Sequence, residues 1–425
     1  MITRQDKNVA YLVYRDGLGA IFDSAYLCPA TRLLQRGWNV RINVLSPLGE
    51  FVRPPLRKRW RQRMETIDDV FPGRVSRIAV PPSRWPIAWD NSWLLAHWLK
   101  RHYGRSGQVV VHCGGALAAL QAIKARSHYS RIKIVFHCWG PTAAEYRYRM
   151  LGHDTRPADS AIDHEADRLE ALDQTAFRES DAVVCISKKM VEFAQHRYHL
   201  PCERASVIPC FVDTQRFRIY MDERAAIREA LGVQDQFVVV YCGTLHRWQE
   251  PDGLMHVVRL IQRIRQNTHF LCLTTHPDRM LQLLGNNGVG EDSTTVKCVP
   301  YKDVPHHLAA SDMGILARGF MQPSSLVNTI SSPIKFAEYL ACGCPVVLGD
   351  TVGDFPHIVR QRRVGVVLSH DSDDTMLIKQ LEDFIAEYEQ SREPLRQRCS
   401  DTAIELLSAD RFVPRLESLY TTLSV

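Results

Sequence analysis

The chain has 425 residues, of which 45% are hydrophobic and 24% charged, with a formal net charge of +6. That length exceeds one ordinary hydrophobic core, so two globular domains are expected. The longest apolar runs, such as "FVVVY" at Phe237–Tyr241, are strand-sized and well short of the roughly 20 residues that span a bilayer, and no nucleic-acid-binding motif accompanies the mild positive balance.

The opening stretch "MITRQDKNVA" lacks the apolar centre of a secretory leader and runs directly into "VAYLVY", as expected of a cytoplasmic protein that begins on a strand. A glycine turn, "YRDGLGAIF", and a helix-compatible run, "AYLCPATRLLQRG", lead to a second strand, "VRINVL". In "FVRPPLRKRWRQRM" (Phe51–Met64), Arg57, Lys58, Arg59 and Arg61 alternate with Leu56, Trp60 and Met64. That mixture suits anionic lipid headgroups with apolar side chains dipping below them, and it equally suits a solvated basic helix. Three more strands, "QVVVH", "KIVFH" and "AVVCIS", complete a first set, each followed by helix-compatible sequence. Two of them end in His-Cys dipeptides, His112-Cys113 and His137-Cys138. Neighbours on a strand point to opposite faces, so a four-ligand metal site from these pairs is geometrically poor. The 12 cysteines are scattered, several of them inside apolar runs (Cys185, Cys242, Cys272), which predicts buried reduced thiols rather than disulfides.

After a polar, charged stretch at about Asp213–Gln236 the alternation starts again, with "FVVVYCG", "HFLCLTT", "VKCVPY", "MGILA", "PVVLGD" and "VGVVL". Buried strands alternating with helices mean parallel sheets covered on both faces. The fold class is therefore α/β, with two Rossmann-like, doubly wound domains facing across a cleft, residues 1–213 and 214–407. The amphipathic stretch 408–425 either packs on the second domain or crosses back to complete the first. Ligands of such sheets bind beyond the carboxyl ends of the strands, which here means in the cleft. "SHDSDDT" at Ser369–Thr375 reads as the N-cap and first-turn acids of the next helix, not as a cation site.

In "SSPIKFAEYLACGCPVVLGD", Ser332 and Pro333 mark a helix start and Gly343 a stop. Lys335 falls in the first turn, where a cation is disfavoured unless an anion lies nearby, and Glu338 lies one turn deeper on the same face. A diphosphate at the helix tip would answer the lysine, and a carboxylate can accept both hydroxyls of a ribose. The alternative is a surface Lys335–Glu338 ion pair worth roughly a few tenths of a kcal/mol.

Extended to "SSPIKFAEYLACGCPVVLGDTVGDFPHIV", the segment resembles the nucleotide-binding region of the GT-B glycosyltransferases of family 4, in the branch with a Ser-Pro-x-Lys-x-x-Glu-Tyr pattern followed by Ala-x-Gly-x-Pro-Val-Val. "DAVVCIS", "VIPCFVDTQRF", "VVVYCGTLHRWQ" and "LAASDMGIL" match in order. The resemblance implies GT-B architecture and retaining transfer from a nucleotide diphosphate sugar to a glycan or lipid-linked acceptor, in surface polysaccharide or glycoconjugate synthesis. It implies the donor ribose on Glu338 and the diphosphate on Lys335 and Arg247, with Arg318, Ser332 and the turn glycines Gly17 and Gly19 beside them. His137 would stand near the donor sugar and leaving group, a catalytic set with Lys335 and Arg247. Trp139, Gly140 and Glu145 would border the acceptor, and Arg57, Lys58, Arg59, Trp60 and Arg61 would dock on the cytoplasmic membrane face. No metal and no cofactor beyond the sugar nucleotide are expected, because lysine, arginine and backbone N–H groups neutralise the leaving group. One position departs from the pattern: Ile330 stands where many members have a glutamate eight residues before the one matching Glu338, leaving Asn328 or Ser331 as nearby polar groups. The alternatives on the same fold are a sugar-nucleotide epimerase and a catalytically silent subunit that partners another glycosyltransferase.

Overall fold

The computed structural model describes residues 7–15, 20–80, 92–104, 107–152, 160–320 and 325–424. Two parallel sheets form, one from each set of strands. The first holds β1 (Asn8–Tyr14), β2 (Asn39–Pro47), β3 (Val75–Val80), β4 (Val109–Gly114), β5 (Ile132–Cys138), β6 (Ala182–Cys185) and β7 (Ala205–Val207), in the order β3-β2-β1-β4-β5-β6-β7. The second holds β8 (Phe237–Cys242), β9 (Thr268–Leu273), β10 (Thr294–Lys297), β11 (Met313–Leu316), β12 (Val346–Gly349) and β13 (Gly365–Leu368), in the order β10-β9-β8-β11-β12-β13. The central strands are apolar on both faces, and β9 and β11 are buried along their whole length, because helices cover each sheet twice. Strand order reverses between β1 and β4 and again between β8 and β11, and these switch points open a crevice at the carboxyl ends of the strands.

The chain crosses between domains twice. Val212 donates to Leu407 O (2.8 Å) and accepts from Ala409 N (2.9 Å), which carries the helix Ala409–Leu423 onto the first sheet. Phe412 stacks on Phe211, Tyr420 meets Trp38 edge-on, and Trp38 Nε1 donates to Glu417 Oε1 at 2.9 Å. Each aromatic ring buried this way contributes roughly 2 kcal/mol. The final helix is thus part of the first domain's core.

A second contact joins the domains near the cleft. Ile330 is buried in the first domain's apolar cluster, its carbonyl accepts from Ser187 Oγ at 2.7 Å, and Lys188 N donates to Asp354 Oδ2 at 2.8 Å. Position 330 therefore helps to hold the domains together, its side chain packed in the first domain's apolar cluster.

Two local expectations change. The helix runs Ile334–Ala341 with Pro333 as its N-cap, because the Ser332 hydroxyl instead accepts from Cys210 N of the linker at 3.1 Å. Gly343 ends it in the left-handed region, φ +73°, as a stop residue should. In the basic helix Pro54–Asp68, Arg57, Lys58, Arg59 and Arg61 are exposed, whereas Trp60 is turned inward. Its ring covers the Arg77 guanidinium at 4.4 Å, with Phe51 at 4.3 Å. Leu56, Trp60 and Met64 share one face at intervals of four, so the apolar side chains expected to dip into lipid form a stripe that faces the protein, with Trp60 and Met64 against the first domain's core.

Candidate active site

On the second-domain side of the crevice, the helix Ile334–Ala341 presents Lys335 and Glu338. Neither is a surface group. Glu338 is 3% exposed; its Oε1 accepts from the Tyr301 hydroxyl at 2.6 Å, and its Oε2 accepts no hydrogen bond among the described residues. Burial raises its pKa, while the Tyr301 bond and then Lys335 pull it down. The Lys335 ammonium donates to Gln249 Oε1 at 2.8 Å and lies 5.2 Å from the Tyr241 ring. Burial, reinforced by Arg318, lowers its pKa to about 7. The ammonium reaches this place because residue 243 is glycine: a Cβ there would collide with Lys335 Cε and Nζ. The surface ion-pair alternative is thereby excluded.

Arg318 follows β11, and burial lowers its pKa. Its Nε is buried without a partner among the described residues. Beside it, Glu250 begins the helix Pro251–Ile264 from a left-handed conformation, φ +42°. Its carboxylate accepts from Gly319 N (3.0 Å), Phe320 N (2.8 Å) and Asn328 Nδ2 (2.9 Å), bracing the loop after β11. Ser331 Oγ donates to Asn328 O at 2.8 Å. Tyr301 is held from behind by Arg216, whose guanidinium lies 4.3 Å from its ring.

On the first-domain side, His137 is the penultimate residue of β5, and Trp139 stacks on its ring at 3.8 Å. The Glu145 carboxylate packs so close to Gly140 that a Cβ there would collide with Oε1. The helix carrying it, Thr142–Leu151, starts on Asp173, which accepts from Thr142 N (2.6 Å) and Oγ1 (2.7 Å). Glu145 is a first-turn acid of this helix, and its charge is among those that raise the pKa of Arg318 against the larger lowering by burial. Arg247 is exposed, and its Nη1 lies 3.1 Å from where a Cβ on Gly152 would stand; Lys335 is paired instead with its neighbour Gln249. Gly17 and Gly19 lie outside the described residues. Ser332 lines the linker. The sequence reading did not single out Tyr301, Gln249, Glu250 or Arg216, although Gln249 closes the matching segment "VVVYCGTLHRWQ".

The site thus combines a carboxylate with an accessible oxygen, two desolvated cations and a histidine, at the switch points of two doubly wound sheets. Residues 30–216 match the family described as Glycosyltransferase Family 4, and residues 223–405 the one described as Glycosyl transferases group 1. The chain belongs to these family 4-type glycosyltransferases. Solved structures with the same GT-B fold include HepE of Anabaena in complex with UDP, 15% identical with a TM-score of 0.67, covering 98% of this chain and 100% of that one. WaaG, a glycosyltransferase involved in lipopolysaccharide biosynthesis, is 17% identical with a TM-score of 0.63, covering 98% and 99%. The GDP-mannose-dependent alpha-(1-6)-phosphatidylinositol monomannoside mannosyltransferase of Mycolicibacterium smegmatis is 28% identical over 163 residues, 38% of this chain and 42% of that relative. The match therefore spans less than half of the relative's length. Among the described residues no helix of this glycosyltransferase is long and apolar enough to cross a membrane.

Proposed function

We propose that this glycosyltransferase moves a sugar, with retention of anomeric configuration, from a nucleotide diphosphate sugar to a hydroxyl of a glycan or lipid-linked acceptor in surface polysaccharide or glycoconjugate synthesis. The observation that carries the reading is the pair at one helix tip: a half-buried Lys335 ammonium pushed toward neutrality by desolvation and, one turn deeper, the buried Glu338 with Oε2 open. A diphosphate restores the ammonium's charge balance, and a ribose diol satisfies the carboxylate. The bond from the anomeric carbon to the phosphate oxygen breaks through an oxocarbenium-like transition state. The acceptor oxygen then bonds that carbon on the same face, and the departing phosphate takes the acceptor's proton. Lys335 and Arg318 stabilise the charge on the leaving diphosphate, with Arg247 at the mouth of the crevice, and the chemistry calls for no metal. His137 and Trp139 line the sugar and acceptor side with Gly140 and Glu145. UDP in HepE and GDP-mannose in the mycobacterial relative support a sugar-nucleotide donor of this kind.

Incubating the enzyme with UDP-, GDP- and ADP-sugars and membrane lipid extract tests this: a glycosylated product whose new linkage keeps the donor's anomeric configuration is expected. Release of free nucleoside diphosphate with no glycosylated product would favour an epimerase or hydrolase. Peripheral docking through the exposed Arg57, Lys58, Arg59 and Arg61 requires binding to anionic vesicles that is lost when all four are alanine, and undiminished binding would remove that part of the proposal.

A further inference from the structure

A line of buried hydrogen bonds runs through the first domain to the carboxyl end of β5. The Tyr11 hydroxyl lies 3.1 Å from that of Tyr420, the Tyr420 hydroxyl 2.7 Å from His112 Nδ1, and His112 Nε2 3.0 Å from His137 Nδ1. All four side chains are buried. Tyr11 and His112 are in register on β1 and β4, while His137 pairs with Gly114, two positions nearer the carboxyl edge. Tyr420 comes from the last helix, 308 residues away from His112. His137 Nε2, the outer end of the line, has no partner among the described residues.

The direction of the line follows from its ends. Both rings are neutral, since burial pushes His112 down to about 3 and, with His112 beside it, holds His137 well below the usual histidine range. Each ring therefore has one N–H. If His112 carries it on Nε2, Tyr11 donates to Tyr420, Tyr420 to His112 Nδ1, and His112 to His137 Nδ1. Every buried hydrogen is then used except the one on His137 Nε2. If His112 carries it on Nδ1, His137 must carry its own on Nδ1, and both a hydroxyl hydrogen of Tyr11 or Tyr420 and the lone pair of the buried His137 Nε2 are left unpaired, two groups instead of one and the costlier arrangement.

We infer that Tyr420 and His112 are positioning residues that fix His137 as its Nε2–H tautomer and direct that N–H as a hydrogen-bond donor to an oxygen of the bound sugar nucleotide. The last helix then does more than pack: it sets a proton in the site. The ligand rests on the glycosyl-transfer reading, but the tautomer does not.

Nitrogen–hydrogen correlation spectra of the histidine rings in the whole, ligand-free chain, assigned through His112→Gln and His137→Gln, should show Nε2–H on both rings. An Nδ1–H or an imidazolium on either would overturn the inference, whether or not the chain transfers sugar. In turnover, Tyr420→Phe should lower kcat about tenfold with KM for the sugar nucleotide within about twofold, the size of one lost hydrogen bond. Leu416→Val, which loosens the same helix without removing any hydrogen-bonding group of the line, should lower Tm and leave kcat unchanged. In a His137→Ala background Tyr420→Phe should have no further effect on kcat; an equal loss in both backgrounds would show a purely structural role and overturn the positioning claim.

Discussion

The two sides of the cleft follow opposite electrostatic plans. In the second domain Lys335, Arg318 and Glu338 are ionisable groups taken out of water, each with its pKa moved against its charge by burial. In the first, His137, His112, Tyr420 and Tyr11 are neutral and satisfy one another in a line. A desolvated charge gains most from a ligand that brings the opposite charge, so the second domain is suited to gripping an anion. A neutral line gains little from charge but fixes a direction, so the first domain is suited to orienting an uncharged group.

The sharpest way to break this contrast is at Lys335. Replacing it with Met should weaken nucleoside diphosphate binding by about 3 kcal/mol, roughly a hundredfold, because a buried charge contact is lost; calorimetric titration measures it. The free protein should be no less stable, since the substitution removes a desolvated ammonium. Next, Ile330→Glu does not rebuild a donor-binding carboxylate. It places a charge in the first domain's apolar cluster and should destabilise the fold by about 3 kcal/mol, read as a lower denaturation midpoint. A smaller effect is expected from Glu338→Gln, which keeps an acceptor for Tyr301 but loses the charge: affinity for a ribonucleoside diphosphate should fall about tenfold, while that for the 2′-deoxy analogue changes little.

The pH dependence is the mildest test. Lys335 has a pKa near 7 in the free protein and a higher one beside a diphosphate, so affinity should be greatest below pH 7 and fall by up to about tenfold per pH unit above it. At pH 8, titrations in buffers of different ionisation enthalpy should show about one proton taken up on binding. The stability of the free fold should move the other way. Its lysine pKa lies below the unfolded value, so the unfolded chain binds more protons and stability rises with pH from about 7 toward 10.5.

The sequence disclosed what is local. The apolar runs of β1, β4 and β8 announce buried parallel strands, and the proline and glycine around Glu338 bracket its helix to within a residue. The edge strands β3 and β7 were not singled out, being half-buried and, in β7, only three residues long. "VKCVPY" was read as one strand, yet β10 stops at Lys297 and Tyr301 turns in to Glu338. Pairings across long separations left no mark in the pattern: Tyr301 with Glu338 spans 37 residues, Lys335 with Gln249 spans 86, and Tyr420 with His112 spans 308. Trp60 misled because an aromatic among arginines satisfies both a lipid-facing and a protein-facing helix, and only the packing of Arg77 between Trp60 and Phe51 decides.

The most direct measurement is the thermal stabilisation of wild type and Glu338→Ala by UDP, GDP, ADP and their common sugar conjugates. A rise of several degrees with one nucleotide, absent in the alanine variant, is the expected result and identifies the base. No rise with any of them would contradict the ribose role of Glu338 and, with it, the proposed donor site.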